Sequence, residues 1–356
     1  MNTPRADDWQ SRGSHFSWRS AGGDASPVEI FHVELGDPGA PVVLLIHGWP
    51  TCSIDWYEVA DQLSRRFRVC ALDFPGYGFS DKPPGWGYSL SRDEELIEFY
   101  VSEVIGAEAG VVVAHDRGDS VALIHAARCA EGRSAMRLEH LVLSNANIFL
   151  PLSNLTQAQR QALDAQSWSQ AAAAVTPAML AEGMGATMFT PPRKAGDPEV
   201  EALTATFAYD DGIKVMHEGI QYLVERSKDE QRWLTALAEA PFPVTVIWGL
   251  YDTVSPPRVA SYVWNQYLMF KPGGNRLYFI PDANHYLQVD RPDAFVKVLL
   301  HALEPADDHG PGALEAELGA PLLVDSSRER LPIAADVLSA QAPPARTEDP
   351  TPQERR

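Results

Sequence analysis

The sequence has little positive charge, few cysteines and no long apolar run. Its 29 Lys and Arg residues stand against 48 Asp and Glu residues, and the net charge is −19 at pH 7. No Lys/Arg-rich segment occurs, so nucleic acid is not expected as a partner. No stretch of about 20 apolar residues could span a bilayer, and the amino terminus lacks the apolar core of a signal peptide. We therefore expect a cytoplasmic protein without a membrane span.

The three cysteines, Cys52, Cys70 and Cys129, lack the spacing of metal ligands. An odd number also suits a reducing compartment better than a disulfide framework. We expect them to be buried fillers. No metal and no other cofactor is predicted.

Apolar strand-like runs alternate with amphipathic helical segments over most of the chain. Runs at residues 28–35 and 42–47, separated by the turn at 36–39, predict a hairpin that leads into a buried strand. Strand and helix patterns then alternate to residue 146 and resume at residue 242. This pattern predicts an α/β fold with a mostly parallel central sheet and helices on both faces. In such folds, ligands bind at the carboxyl ends of the strands.

The domain organisation follows from where this alternation begins, breaks and ends. Residues 1–26 are expected to form a mobile amino-terminal segment, and residues 27–146 and 241–303 a single core. Residues 147–240 are predicted to form a helical lid, because about 90 residues far exceeds ordinary loop length. Residues 304–356 are rich in Pro, Ala, Glu and Asp without aromatic residues, which predicts a disordered acidic tail.

The stretch AGVVVAHDRGDSVALIHAA, residues 109–127, holds the most informative pattern. An apolar run precedes Asp116, a helical segment follows it, and the small residues Ala114 and Gly118 flank it at two positions on either side. This is the pattern of a nucleophile elbow, a tight strand-to-helix turn that exposes its central side chain. The predicted nucleophile is therefore the carboxylate of Asp116.

Asp252 and His285 follow two later strands, so the order is nucleophile, acid and His, as in the α/β-hydrolase fold. An Asp nucleophile would form an ester with a saturated carbon, and a water activated by His285 would cleave that ester. The backbone N–H groups of Trp49 and Arg117 are the predicted oxyanion hole. No G-x-S-x-G motif occurs, and Ser120 lies one helical turn beyond the elbow, so a serine esterase is disfavoured.

The motifs HGWP, DFPGYGFSDKP, HDRG, GLYD and NHY resemble the α/β-hydrolase branch that contains epoxide hydrolases and haloalkane dehalogenases. Within that branch, HGWPTCSIDW, AHDRGDSVA, LSNANIF and RWLTAL resemble most closely the mesoderm-specific transcript group. The resemblance covers roughly residues 28–302. It implies a cofactor-free hydrolase acting on a small epoxide or organohalide, and it assigns Tyr222 as a lid tyrosine that protonates the opening oxygen. No match is found for the other such tyrosine, since Tyr209 occurs too late.

Three alternatives remain open. Haloalkane dehalogenases usually carry other residues at the positions of Trp49 and Arg117, which weakens that assignment. The HDRG elbow resembles fluoroacetate dehalogenases, but Ser120 stands where a second Arg would help to bind a carboxylate. A hydrolase fold retained only for small-molecule binding or regulation is the third alternative, because a fold alone does not determine function. We take an epoxide hydrolase as the leading hypothesis.

Overall fold

A computed structural model of the chain describes residues 3–21, 26–171 and 173–304, together with the backbone of residues 322–325. Within these ranges, nine strands form a single sheet in the order β1-β2-β4-β3-β5-β6-β7-β8-β9. The strands are β1 (Gly13–Trp18), β2 (Val28–Leu35), β3 (Val42–Ile46), β4 (Arg68–Leu72), β5 (Ala109–His115), β6 (Arg137–Ser144), β7 (Val244–Gly249), β8 (Arg276–Ile280) and β9 (Leu322–Asp325).

The helices fall into two groups, those that precede or connect the other strands of the sheet and those inserted between β6 and β7. The first group is α1 (Pro4–Arg12), α2 (Tyr57–Leu63), α3 (Leu90–Phe99), α4 (Arg117–Ala130), α11 (Pro257–Val263), α12 (Leu287–Asp290) and α13 (Pro292–Leu303). The second group, which we call the helical insertion, is α5 (Gln157–Leu163), α6 (Ala165–Ala171), α7 (Pro177–Met188), α8 (Pro198–Ala208), α9 (Met216–Gly219) and α10 (Tyr222–Glu239). No helix in the described ranges has the length and apolar character needed to cross a bilayer.

The centre of the sheet is parallel and covered on both faces. β3 pairs in parallel with β4 and β5, and the parallel pairing continues through β6 and β7 to β8. From Gly110 onward every residue of β5 is buried, although successive side chains point to opposite faces. The predicted mostly parallel α/β sheet is therefore confirmed, and the carboxyl ends of β5, β7 and β8 lie at one edge.

The expected hairpin between residues 28–35 and 42–47 is wrong. β2 pairs antiparallel with β1 on one side and with β4 on the other, so β4 lies between β2 and β3. The short turn at residues 36–39 favoured a hairpin on local grounds. The parallel pairing of β3 with β4 and β5, which uses both of its edges, outweighs that local preference.

The expectation of a mobile segment over residues 1–26 is corrected by α1 and β1. Thr3 caps α1 by accepting a hydrogen bond from the backbone N–H of Ala6. The fully buried Trp9 indole donates to Ser53 Oγ over 3.0 Å. Burial of an indole stabilises a segment that polar composition alone predicts to be loose.

The carboxyl-terminal expectation is corrected at one point, because β9 pairs antiparallel with β8 inside the segment expected to be a disordered tail. The remainder of that segment beyond residue 304 lies outside the described residues. The insertion between β6 and β7 is helical, as its pattern predicts.

Candidate active site

The turn between β5 and α4 holds Asp116 in a backbone conformation that few residues adopt. Its φ is 53° and its ψ is −118°, which is strained for a residue with a side chain. Glycine makes the turn possible on both sides. A Cβ on Gly48 would lie 2.5 Å from the Asp116 Cβ, and one on Gly118 would lie 2.6 Å from the His47 carbonyl oxygen. Gly118 of the elbow pattern, and Gly48 in a neighbouring loop, are therefore required by close approach.

The structure brings together the three side chains predicted to form the triad. His285 Nε2 lies 3.5 Å from Asp116 Oδ2, and His285 Nδ1 lies 3.1 Å from Asp252 Oδ2. The imidazole thus stands between two carboxylates. This is the geometric order of a nucleophile, a base and an orienting acid.

A surrounding set of hydrogen bonds orients the acid and the imidazole. Asp252 Oδ1 accepts from the backbone N–H groups of Val254 and Ser255 over 2.8 and 2.9 Å. The Asn145 amide donates to the carbonyl oxygen of His285 over 3.0 Å, and its own oxygen accepts from the Gly249 N–H. These bonds connect the loops after β6, β7 and β8, so the relative positions of the triad residues are tightly constrained.

The charges of the triad residues favour an ion-paired resting state. Burial lowers the pKa of His285, but the carboxylates of Asp252 and Asp116 outweigh it and raise that pKa to about 10. Burial raises the pKa of Asp116, yet the hydrogen bond and charge of His285 hold it below its ordinary value. At neutral pH the resting site therefore contains an Asp116 carboxylate beside a protonated imidazole.

The two predicted oxyanion donors are placed differently. The backbone N–H of Trp49 donates to Asp116 Oδ1 over 2.8 Å. Within the described residues, no hydrogen bond joins the backbone N–H of Arg117 to the Asp116 side chain. The Trp49 side chain borders the site, and its indole points toward the Met216 carbonyl oxygen over 3.4 Å.

The Arg117 side chain turns inward and pairs with Asp93, a residue that sequence analysis missed. Both side chains are almost fully buried, and an ion pair joins them. The guanidinium carbon also lies 5.3 Å from the Tyr77 ring and 5.7 Å from the Tyr222 ring. In the sequence, Asp93 is visible only as a charged residue on the predicted buried face of α3, and this pattern alone does not indicate its partner.

Tyr222 lies at the start of α10 and reaches this region. Burial, with the charge of Asp116, raises the pKa of its hydroxyl well above the ordinary value. Its hydroxyl has no hydrogen bond of good geometry to any described group, and the same holds for both polar atoms of the nearby Asn147 amide. The structure therefore places Tyr222 close to Asp116 and Arg117, with the Asn147 side chain as a polar neighbour of its hydroxyl.

Ser120 and the two neighbouring histidines have structural contacts. The buried guanidinium of Arg226, in α10, donates to Ser120 Oγ over 2.7 Å and thereby ties the helical insertion to the elbow helix. His47 Nε2 accepts from the Phe74 N–H, and His115 Nε2 contacts the His285 carbonyl oxygen over 2.9 Å. Burial lowers the pKa of both histidines to about 3, so both are neutral.

The helical insertion covers the triad. Asp116 is 2% exposed and His285 is 3% exposed. A separate small cavity nearby, lined by Tyr77, Met216 and Gly219 and by none of the triad residues, has a volume of about 20 Å³. Because Asp116 and His285 are buried, a substrate would need part of the covering structure to move.

One described cluster offers atoms of the kind that bind metals: Glu94, Glu98 and His125, on α3 and α4. Arg128 already donates two hydrogen bonds to Glu94, over 2.6 and 2.8 Å. His125 contacts the same carboxylate over 3.3 Å. These cations balance the carboxylates, so the cluster is explained by ion pairing.

A mostly parallel sheet with a carboxylate–imidazole–carboxylate set at its carboxyl edge defines the class of α/β hydrolases. The chain belongs to the alpha/beta hydrolase fold family, which it matches over residues 41–292.

The chain is similar in sequence to proteins with several different names. LipZ of Mycobacterium tuberculosis, which is named as a hydrolase, is 33% identical over 303 residues, covering 85% of this chain and 99% of LipZ. The human mesoderm-specific transcript homolog protein is 28% identical, with coverages of 84% and 88%. Haloalkane dehalogenase 2 of M. tuberculosis is 24% identical, with coverages of 78% and 92%. The structure of an alpha/beta hydrolase fold protein from Burkholderia ambifaria has a TM-score of 0.62 at 25% identity, with coverages of 81% and 100%. The resemblance seen in the motifs is thus confirmed.

Proposed function

We propose that this protein is a cofactor-free hydrolase that opens an epoxide through an alkyl-enzyme ester on Asp116. The observation that carries the proposal is the Asp116 carboxylate at the elbow, held by the Trp49 N–H and 3.5 Å from His285 Nε2. Asp252 orients the imidazole. A carboxylate in this position suits attack on a saturated carbon with a strained ring or a leaving group.

In the first step, Asp116 Oδ2 attacks a ring carbon of the epoxide, and the bond between that carbon and the ring oxygen breaks. The opening oxygen takes a proton from the Tyr222 hydroxyl. The high pKa of that hydroxyl keeps it protonated until the substrate oxygen becomes more basic. The Asp116 carboxylate becomes a neutral ester.

In the second step, loss of the Asp116 charge removes one of the two carboxylates that hold His285 protonated, so the pKa of its imidazole falls. The imidazolium returns a proton to the Tyr222 phenolate and becomes the base that deprotonates a water. That water attacks the ester carbonyl, and the Trp49 N–H stabilises the oxyanion. Collapse expels the product alkoxide, which takes the proton of the newly formed carboxyl group and leaves as the diol. The Asp116 carboxylate and the protonated His285 are restored, so one epoxide and one water give one diol.

The helical insertion would act as the lid. It supplies Tyr222 and covers Asp116, and the connection between α8 and α9 contains Asp210 and Asp211 with φ values of 46° and 55°. Such left-handed residues permit a sharp bend next to α9. We infer that this connection moves when substrate binds and that closure excludes water other than the reacting one.

A dehalogenase is the second candidate, favoured by the similarity to haloalkane dehalogenase 2. The same Asp116 ester would form, with halide as leaving group. The buried ion pair of Arg117 with Asp93 argues against a carboxylate-bearing substrate, because Asp93 already supplies the counter-charge of the guanidinium. A purely binding protein would have no need of the oriented triad.

The test is a panel of epoxides, haloalkanes and haloacids, assayed for diol and halide with the native protein and with Asp116→Asn. The proposal expects diol from at least one epoxide and a fall of roughly 10⁴-fold or more in the variant, since its amide is not a nucleophile. Peptide mapping by mass spectrometry checks that the introduced amide has not hydrolysed back to a carboxylate during the assay. Halide release without diol would favour the dehalogenase, and full turnover by the variant would exclude a nucleophilic role for Asp116.

A further inference from the structure

Tyr77 lies in a tightly held turn beside the elbow. Gly76 and Gly78 on either side have φ values of 91° and 49°. A Cβ on Gly78 would lie 2.0 Å from an Asp73 carboxylate oxygen, and that carboxylate accepts from the Ser53 and Phe79 N–H groups over 2.8 Å each. The backbone around Tyr77 is therefore rigid, and the ring direction is defined.

The hydroxyl of Tyr77 lies against α9 of the helical insertion. A Cβ on Gly219, in α9, would lie 2.6 Å from this hydroxyl and 3.5 Å from Trp49 Cδ1. The φ of Gly219 is not positive, so the value of glycine here is the missing side chain, which leaves room for the hydroxyl. The same Trp49 donates its backbone N–H to Asp116.

Tyr77 and Tyr222 flank a common neighbour. The Arg117 guanidinium lies within 6 Å of both ring centroids, and Arg117 directly follows Asp116. Both hydroxyls are buried without a hydrogen bond of good geometry anywhere in the described ranges, as are Nε and Nη1 of Arg117. A buried polar group without a hydrogen bond lowers the stability of the folded protein, so several such groups in one place indicate a polar ligand that satisfies them.

We propose that Tyr77 is a catalytic residue that donates a hydrogen bond to the epoxide oxygen while Tyr222 transfers the proton. The inference rests on the proposed function and supplies the second lid-side hydroxyl that the sequence did not reveal. Tyr77 keeps its proton throughout, so the balance of the reaction is unchanged. We expect its effect to be confined to ring opening, because the Trp49 N–H, which donates to Asp116 Oδ1, stabilises the ester carbonyl during cleavage.

The test separates the two chemical steps, using styrene oxide as the probe. The rate of ester formation is measured by rapid quench and intact mass in a His285→Gln background, with and without Tyr77→Phe. The rate of ester cleavage is measured in Tyr77→Phe with native His285. We expect ester formation to slow about 10² fold, and ester cleavage to change less than about twofold.

Tyr88→Phe is the matched control. Tyr88 lines the same small cavity, but its hydroxyl donates to the Pro83 carbonyl oxygen over 2.9 Å. This variant should form the ester at a rate within about twofold of the parent. An unchanged rate of ester formation in Tyr77→Phe, or equal losses in both steps, would overturn the role of Tyr77 alone. If the His285→Gln parent forms no ester on Asp116, the proposed function fails and the Tyr77 role with it.

Discussion

The site has two halves that differ in how far the protein satisfies its own polar groups. In the triad half, the carboxylates of Asp116 and Asp252 and the His285 imidazole are joined to one another and to backbone N–H groups. In the lid-facing half, the hydroxyls of Tyr77 and Tyr222 and the Asn147 amide make no hydrogen bond of good geometry within the described ranges, although Asn147 and Tyr222 adjoin each other.

The difference indicates which half is complete before substrate arrives. Preorganised groups need no rearrangement when charge develops, which is where electrostatic catalysis gains its advantage. Groups left unsatisfied in a buried place lower stability but can gain a hydrogen bond from a ligand. We infer that the triad half carries the chemistry and that the lid-facing half recognises the oxygen of the substrate.

Replacing Asp93, the ion-pair partner of Arg117, tests whether the buried charges of the lid-facing half must be balanced for the protein to be stable. Asp93→Asn should lower the free energy of unfolding by about 3–5 kcal/mol, because it leaves a buried guanidinium without a counter-charge. The measurement is denaturant unfolding at about pH 8. Burial raises the pKa of Asp93 to about 6, so the native carboxyl is ionised there.

Asp229→Asn is the control for this change, because Asp229 pairs with Arg232 at the surface. It should alter the free energy of unfolding by no more than about 0.5 kcal/mol. A loss below about 1 kcal/mol in Asp93→Asn would mean that water or another group balances Arg117, and the division into two halves would lose its electrostatic basis.

The pH dependence tests the two steps of the triad half separately. Ester formation needs an Asp116 carboxylate, and the lowered pKa of that group keeps it ionised as the pH falls. Ester cleavage needs a neutral His285, so its rate should fall about tenfold for each pH unit below the pKa of His285 in the ester. Quenched turnover followed by intact mass should therefore show more ester at about pH 5 than at about pH 8. An ester fraction that does not rise on acidification would contradict the role of His285 as base.

Ser120 provides the smallest expected effect. Ser120→Ala removes an acceptor of the buried Arg226 guanidinium, which keeps its bond to the Ile148 carbonyl oxygen. We expect a loss of about 1–2 kcal/mol in the free energy of unfolding with turnover retained. Ser227→Ala, an exposed serine on the same helix as Arg226, is the control and should be neutral. Loss of turnover without loss of stability would reopen the serine esterase.

The chemistry-bearing residues at strand ends could be predicted because local patterns mark them. Asp116 lies between small residues after an apolar run, and Asp252 and His285 each follow a buried strand. The structure brings them together as the parallel sheet requires. Their catalytic roles, the lid boundaries and the role of Tyr222 remain predictions.

The buried contacts that could not be predicted join residues that are distant in the sequence. Trp9 is fully buried and its indole N–H donates to Ser53, and the sequence of residues 1–26 gives no sign of that contact. Likewise, Asp93 and Arg226 resemble solvent-facing charges on amphipathic helices until their partners on α4 are known. The position of Tyr77 could not be predicted either, because it lies in a Gly-rich loop that is held in place by hydrogen bonds to Asp73.

The central claim is that Asp116 bonds covalently to substrate carbon, and His285→Gln tests it most directly. The variant should retain the nucleophile but lose the base that cleaves the ester. After exposure to an epoxide that the native protein turns over, intact mass should rise by the mass of that epoxide, and peptide mapping should locate the addition at Asp116. An unmodified variant that has lost turnover, or an addition at another residue, would contradict the account.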